Sequence, residues 1–209
     1  MSRSARRQPA ARPEAIINAA LEEFAEKGYA AARLDDVAAK AGISKGLVYV
    51  YFKTKEELFK AVVRAFIVPR FEALVAELEA SPASAEALIR GPIRAFMKSI
   101  PKSRVRVIAR LLIAEGPKHP DLIAFYHAEV VSRGKRLLTG IIARGVERGE
   151  FRPNALVEFP QLLLAPVIMA VIWTTLFDRH DPLDTDRLID AHIELLLRAL
   201  RPDAQGTGP

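Results

Sequence analysis

Along almost the whole chain, apolar residues recur at three- and four-residue spacing, and the breaks between these runs hold Pro or Gly. That spacing lines one face of an α-helix, and the alternation of a half-buried strand is absent, so the expected fold class is all-α. Ile16, Ile17, Ala20, Leu21 and Phe24 form the first face, with Pro13 suited to a first helical turn and Gly28 to the residue past a helix end. "LDDVAAKAG" gives a shorter second helix with Leu34, Val37, Ala38 and Ala41 inward; Asp35 and Asp36 sit in its first turn, where the helix dipole favours acids. Gly42 makes a turn, and Ser44 caps a third helix running to about Phe52. Thr54 and Glu57 form a capping box that opens a fourth, which Pro69 ends or kinks. Further helical segments follow: "SAEALIRGPIRAFMKSI", "RVRVIARLLIAEG", Asp121 to Arg148, Ala155 to Phe177, and "DTDRLIDAHIELLLRAL".

The composition supports a packed fold, with 209 residues of which 50% are hydrophobic. There is no cysteine, which excludes a disulfide scaffold and Cys-based zinc or redox sites and fits a reducing cytoplasm. Of the net charge of +6, four units fall within the first 55 residues, where ten Lys/Arg face six Asp/Glu. A basic excess at one end suits nucleic acid, and it equally suits a solvated basic tail. The opening "MSRSARRQPAAR" lacks an apolar stretch, so it reads as a flexible basic arm rather than a secretory signal.

The second and third helices, joined by "AGIS", make a helix-turn-helix. With Ile43, Val48 and Phe52 anchoring the third helix, its remaining face carries Lys45, Gly46, Leu47, Tyr49 and Val50. That is unusual for a solvent face and fits a DNA major groove, about 12 Å wide. Lys45 is placed to reach a guanine edge or a phosphate. Gly46 permits close backbone approach, and Leu47 and Val50 suit thymine methyls. Tyr49 and Tyr51 are suited to phosphate oxygens, with Lys53 and Lys55 at the groove edge and the first amides of the fourth helix beside them. Spacing alone leaves open a plain helical hairpin with tyrosines on its core.

Taken together, "AALEEFAEKGYAAARLDDVAAKAGISKGLVYVYFKTKEELF" closely resembles the amino-terminal domain of the tetracycline-repressor (TetR) family of bacterial regulators. The resemblance covers about the first 60 residues; the remainder resembles the family only in helical pattern. It implies a homodimer held by the last two long helices (about 155–177 and 184–200), binding double-stranded DNA, with a helical pocket in each subunit for a small effector. The expected organisation is an arm at 1–12, a DNA-binding domain at 13–55 with its motif at about 33–52, a regulatory and dimerisation domain at 56–201, and a disordered tail at 202–209. Where the family commonly has two Thr/Ser before the second helix, this chain has Ala32 and Arg33, so a hydroxyl cap is lost and Arg33 stands as a charged contact. Ser44 completes the expected DNA-binding set.

For the effector, Phe96, Met97, Ile113, Phe125, Tyr126, Ile168 and Trp173 are candidate lining residues, with His127 as a polar group; core packing explains the same spacing. Such a lining favours a hydrophobic or aromatic molecule. The uncharged stretch Phe159 to Phe177 approaches the ~20 residues of a membrane span. Its two prolines, Gln161 and Thr pair argue instead for a buried helix or an oligomer interface, with no membrane role. No HExxH, GxSxG or Gly-rich phosphate loop is present, so neither an enzyme, a metal nor a cofactor is expected. Asp178, His180, Asp181 and Asp184 share one loop, which reads as solvated. The alternative function is a helical ligand-binding or interaction protein whose helix-turn-helix no longer reads DNA.

Overall fold

The computed structural model describes residues 13–202, which form helices, turns and loops without a strand. The basic arm with Arg3, Arg6, Arg7 and Arg12 lies outside the described residues, as does the tail beyond Pro202. The chain divides into two compact units: residues up to Ala65 together with Leu111–Ile123, and Phe66–Arg110 together with the chain from Ala124 onward.

In the first unit, α1 (Pro13–Ala31) packs on α2 (Leu34–Lys40), which packs on α3 (Lys45–Tyr51); α4 spans Lys55–Phe66. Ile16, Ala20, Leu21 and Phe24 are buried, and the Phe24, Tyr29 and Phe59 rings lie 5.5–5.7 Å apart. Such tilted and edge-on arrangements suit the aromatic quadrupole. Gly28 interrupts α1 with φ 78°, a left-handed value that costs glycine little. The Thr54 half of the expected capping box forms, with Thr54 Oγ1 accepting the Glu57 amide at 3.1 Å; Glu57 reaches one residue further back and accepts the Lys53 amide at 2.7 Å. At Ile67 the helix breaks, and α5 (Val68–Ala80) opens with Pro69 in its first turn, where a missing N–H costs nothing.

The second unit continues with a rod built from α6 (Ala85–Leu88), a π-helical turn at Ile89–Ile93 and α7 (Arg94–Lys102). Pro92 lies in that turn; proline cannot donate the helical hydrogen bond and crowds the carbonyl four residues back, and the wider turn accommodates both. α8 (Val105–Glu115) starts in this unit and ends in the first. α9 (Pro120–Tyr126) starts in the first unit, and the second unit continues from it with a π turn at His127–Val131 and α10 (Ser132–Glu147). α11 (Gln161–Leu176) and α12 (Thr185–Leu200) complete the unit and pack on each other and on α7. Leu74, Ile93, Met97, Ile142, Val167 and Ile193 belong to the shared core.

The helical segment expected from Ala155 begins only at Gln161. Asn154 Oδ1 accepts the Leu156 amide at 2.9 Å, a turn that competes with helix, and Pro160 disfavours helical geometry at Phe159. No helix among the described residues is long and apolar enough to cross a membrane. α11 buries Leu163, Val167, Ala170 and Val171, while Leu162, Ile168, Met169 and Leu176 are exposed.

An ion-pair ladder joins the rod to α12. Arg90 meets Glu86 and Glu194, Arg94 and Lys98 both meet Asp190 at 2.6 Å, and Lys102 meets Asp186 at 2.7 Å. Four-residue steps on both helices keep these partners in line. The Arg94 hydrogen bond, with Lys98 beside it, holds the Asp190 carboxyl well below the usual carboxylate range. A depressed pKa gives stability that is present above the unfolded value of about 4 and is lost as pH falls toward the folded value. The pair is solvent-screened, so Asp190→Asn is expected to cost about 1 kcal/mol at pH 7. Calorimetric melting should show the wild-type advantage shrinking below about pH 4; an equal gap at pH 3 contradicts the assignment.

Candidate nucleic-acid interface

The turn between α2 and α3 is a Schellman motif. The Gly42 amide donates to Ala39 O at 3.1 Å and the Ile43 amide to Ala38 O at 3.0 Å, with Gly42 at φ 68°. Nothing crowds a Cβ at Gly42, so its left-handed backbone is the reason for glycine there. Ser44 follows with extended backbone, and its Oγ accepts the Leu47 amide at 3.3 Å. In this state the Ser44 hydroxyl is a helix cap. α2 is fixed on α1 by charge: Glu23, buried to 1% exposure, meets Lys27 at 2.7 Å and Lys40 at 3.6 Å. Lys27 also meets Asp36 at 2.8 Å, and Lys40 meets Glu26 at 2.7 Å.

α3 is anchored by Val48, fully buried, and by Phe52 just past its end. Its other side stands open. Val50 is 66% exposed, Tyr51 42% and Tyr49 38%, Lys45 and Gly46 are exposed, and Leu47 is half-buried. Apolar and aromatic side chains left in water on a helix this short mark a surface that another molecule covers. The Lys45 ammonium is 2.7 Å from Asp35 and 6.0 Å from the Tyr49 ring centroid, and the hydrogen bond to Asp35 raises its pKa. Arg33 is exposed at the N-cap of α2, and no side-chain cap bond forms there, as the loss of a hydroxyl predicts. Lys53 is exposed beside the Thr54 cap.

Lys55 is engaged within the unit. Its ammonium donates to the Ala30 carbonyl at 2.7 Å and lies 4.8 Å from the Tyr29 ring centroid, and burial lowers its pKa. The same turn is gripped from the other side by Glu115, the last residue of α8. Its carboxylate accepts the Tyr29 amide at 2.8 Å and the Ala30 amide at 2.6 Å. His119 sets its ring 4.6 Å from that of Tyr29, and a cavity of about 10 Å³, with room for no more than a water, lies among them. The turn leading to α2 is therefore held by Lys55 nearby and by Glu115 more than eighty positions away. Sequence reasoning missed Glu115 and His119, since helical periodicity carries no signal for a side chain capping a distant turn.

Met97 is fully buried in the core with Phe96 packed against that core. Phe125 and Tyr126 are half-buried, and burial pushes the Tyr126 phenol up to about 12. His127 is exposed, 3.2 Å from Ser132 Oγ. Ile113 is 49% exposed on the α8 segment that groups with the first unit. Ile168 lies on the exposed face of α11, and Trp173 donates to the Asp181 carbonyl at 2.8 Å with its ring against Phe177.

A Schellman-turned helix pair that presents a short, open second helix is a helix-turn-helix nucleic-acid-binding module. Comparison with known proteins agrees. Residues 16–62 match the model of bacterial regulatory proteins of the tetR family, and residues 84–195 match the tetracyclin repressor-like C-terminal domain. The chain belongs to the TetR family of transcriptional regulators. The HTH-type transcriptional repressor KstR2 of Mycolicibacterium smegmatis is 26% identical over 193 residues, covering 91% of each chain. The fatty acid metabolism regulator protein of Bacillus subtilis is 22% identical over 185 residues, covering 88% of this chain and 93% of its own. Among solved structures, the fatty acid degradation regulator FadR of Bacillus halodurans superposes with a TM-score of 0.75 at 20% identity, over 94% of this chain and 98% of that one. FadR of Bacillus subtilis, in complex with stearoyl-CoA, gives 0.70 at 21% identity over 91% and 100%.

The grip on the α1 turn is testable. A Cβ on Gly28 would lie 2.5 Å from Glu115 Oε1 on a backbone that L side chains rarely adopt. Gly28→Ala is expected to cost about 1–3 kcal/mol through strain. Glu115→Ala costs about 1–2 kcal/mol through the two amides left without an acceptor. Because both act on one contact, urea unfolding of the double variant should show less than the sum. Strict additivity would contradict the shared contact.

Proposed function

We propose that this chain is a homodimeric, cytoplasmic repressor that holds a pseudopalindromic operator through α3 of each subunit. A small molecule with a hydrophobic or aromatic body, bound by the second unit, releases it. The observation that carries the reading is the open face of α3, where Val50 and the two tyrosines stand in water while Val48 alone is fully buried. Relatives named as repressors support the regulatory sign, and the stearoyl-CoA complex of the Bacillus subtilis FadR structure supports an effector with a large apolar part.

In this reading Lys45, Gly46, Leu47 and Val50 meet base edges. Arg33, Ser44, Tyr49, Tyr51, Lys53 and Lys55 meet or flank the phosphate backbone, and phosphate contacts fix register while base contacts give sequence. Lys45 would have to leave Asp35. The pair is exposed and screened by solvent, so it is weakly held and a guanine edge or phosphate competes readily. Lys55 is more firmly placed and would act through the position of the Tyr29 turn. Phe96, Met97, Phe125, Tyr126 and His127 are the proposed neighbourhood of the apolar part of the effector.

The dimer face proposed is the exposed side of α11 with α12, where Leu162, Ile168, Met169, Leu176 and Leu195 are 46–66% exposed. Apolar area of this kind on the two last helices suits a second copy of the chain. Effector binding lowers DNA affinity only by its differential affinity for the two states of the protein.

The Lys45→Ala, Tyr49→Ala double variant is expected to lose site-specific binding by at least about tenfold, with the fold intact by circular dichroism. If Lys45 meets phosphate, Lys45→Ala alone reduces the salt slope of binding by about one unit without relaxing sequence preference. Unchanged affinity for a selected duplex in the double variant would remove α3 as the reading helix.

A further inference from the structure

Asp35 and Asp36 both lie in the first turn of α2, and the structure gives them different partners. Asp36 is met from α1 by Lys27 at 2.8 Å. Asp35 is met from α3, where its Oδ2 accepts from the Lys45 ammonium at 2.7 Å. Its other oxygen, Oδ1, is buried and has no hydrogen bond among the described residues. The working edge of this carboxylate therefore lies against the first residue of the proposed reading helix.

Residues at the start of a reading helix are the ones that meet base edges. When Lys45 turns to a guanine, Asp35 loses the donor on Oδ2 while Oδ1 stays unbonded. A carboxylate left in that state beside DNA is unfavourable twice over, since it lacks a donor and repels phosphate. Lys27 does not relieve it, being held by Asp36 and Glu23. Arg33, exposed just before α2, is assigned to the phosphate backbone in the proposed reading. The missing donor has to come from the DNA. In the major groove phosphate oxygens, guanine O6 and N7, adenine N7 and thymine O4 all accept. Only the amino groups of cytosine N4 and adenine N6 donate.

We propose that Asp35 is a specificity-determining residue of the DNA interface, accepting the cytosine N4 amino group of a G·C pair whose guanine Lys45 reads. The inference rests on the proposed reading of α3 as the base-reading helix. In such a pair the N4 amino group is hydrogen-bonded to guanine O6, so donor and acceptor lie about 2.9 Å apart. The Lys45 ammonium and Asp35 Oδ2 offer the complementary donor and acceptor at 2.7 Å. An A·T pair also sets a donor beside an acceptor. Thymine, however, offers a lysine one acceptor with a methyl group beside it, where guanine offers two. Asp35 thus changes from the resting partner of Lys45 into the second half of a two-residue reader.

The test uses the full chain and a duplex that it selects from a random pool. Fluorescence anisotropy compares that duplex with variants in which each half-site pair is replaced in turn, for wild type, Asp35→Ala and Asp35→Asn. Wild type is expected to lose at least about fivefold in affinity when one particular G·C pair becomes A·T. Asp35→Ala should lose most of that preference there and keep the preferences at other positions. Asp35→Asn keeps an acceptor without the charge and should retain part of it, which guards against misfolding of the alanine variant. A duplex whose cytosine at that position lacks the 4-amino group (pyrimidin-2-one) reports the contact itself. Its penalty should be at least about threefold smaller for Asp35→Ala than for wild type. Equal penalties would overturn the proposal. So would a selected half-site without a G·C pair. Higher affinity of Asp35→Ala for every duplex, with all base preferences intact, would also overturn it, leaving Asp35 only to neutralise Lys45 and repel phosphate. Recovery of unrelated sequences by wild type would instead remove the reading role of α3, and this proposal with it.

Discussion

A helix of seven residues has no stability of its own, because nucleation costs more than so few hydrogen bonds return. α3 exists because Val48 is fully buried and because Gly42 turns the chain back at the one point where a left-handed residue is needed. Full burial of a valine contributes about 1.5–3 kcal/mol, enough to hold a short element but not to bury a second face. That leaves the opposite side of α3 open, with the Ser44 cap at one end and the Thr54 box beginning α4 just beyond the other. Everything proposed about DNA follows from this division of a small helix into one buried anchor and one exposed face.

The turn that leads from α1 into α2 is held by a charge placed far away in sequence. Glu115 holds the amides of Tyr29 and Ala30 while Lys55 holds the Ala30 carbonyl, so both hydrogen-bonding directions of that turn are satisfied by side chains. Glu115 closes a helix whose first residues belong to the other compact unit.

Much of the first unit was legible in the sequence because its signals are local. Gly42, Ser44, the Thr54–Glu57 box and Pro69 each act within four residues of themselves, and the structure places a turn, a cap, a box and a helix start at those positions. Long-range pairings left no local trace. Asp35 reads as a helix-dipole acid, yet it also holds Lys45. Lys98 and Lys102 carry no local sign of a partner, yet the acids they meet lie more than eighty residues on. Ile113 and Ile168 have the spacing of lining residues, but spacing fixes a helix face without saying which neighbour that face meets. Both are half-exposed, one on each unit. The π turn at Ile89–Ile93 had a visible cause in Pro92, whereas the one at His127–Val131 has no proline and no sequence signal that we can identify.

The most direct test of the account is selection of bound duplexes from a random DNA pool by the full chain at roughly physiological salt, where nonspecific phosphate binding is suppressed. The account predicts enrichment of a pseudopalindrome with half-sites about one helical turn apart or a multiple of it, the footprint of two α3 helices related by a dyad. Recovery of unrelated sequences with no shared half-site would contradict it, leaving the open face of α3 without a reading role.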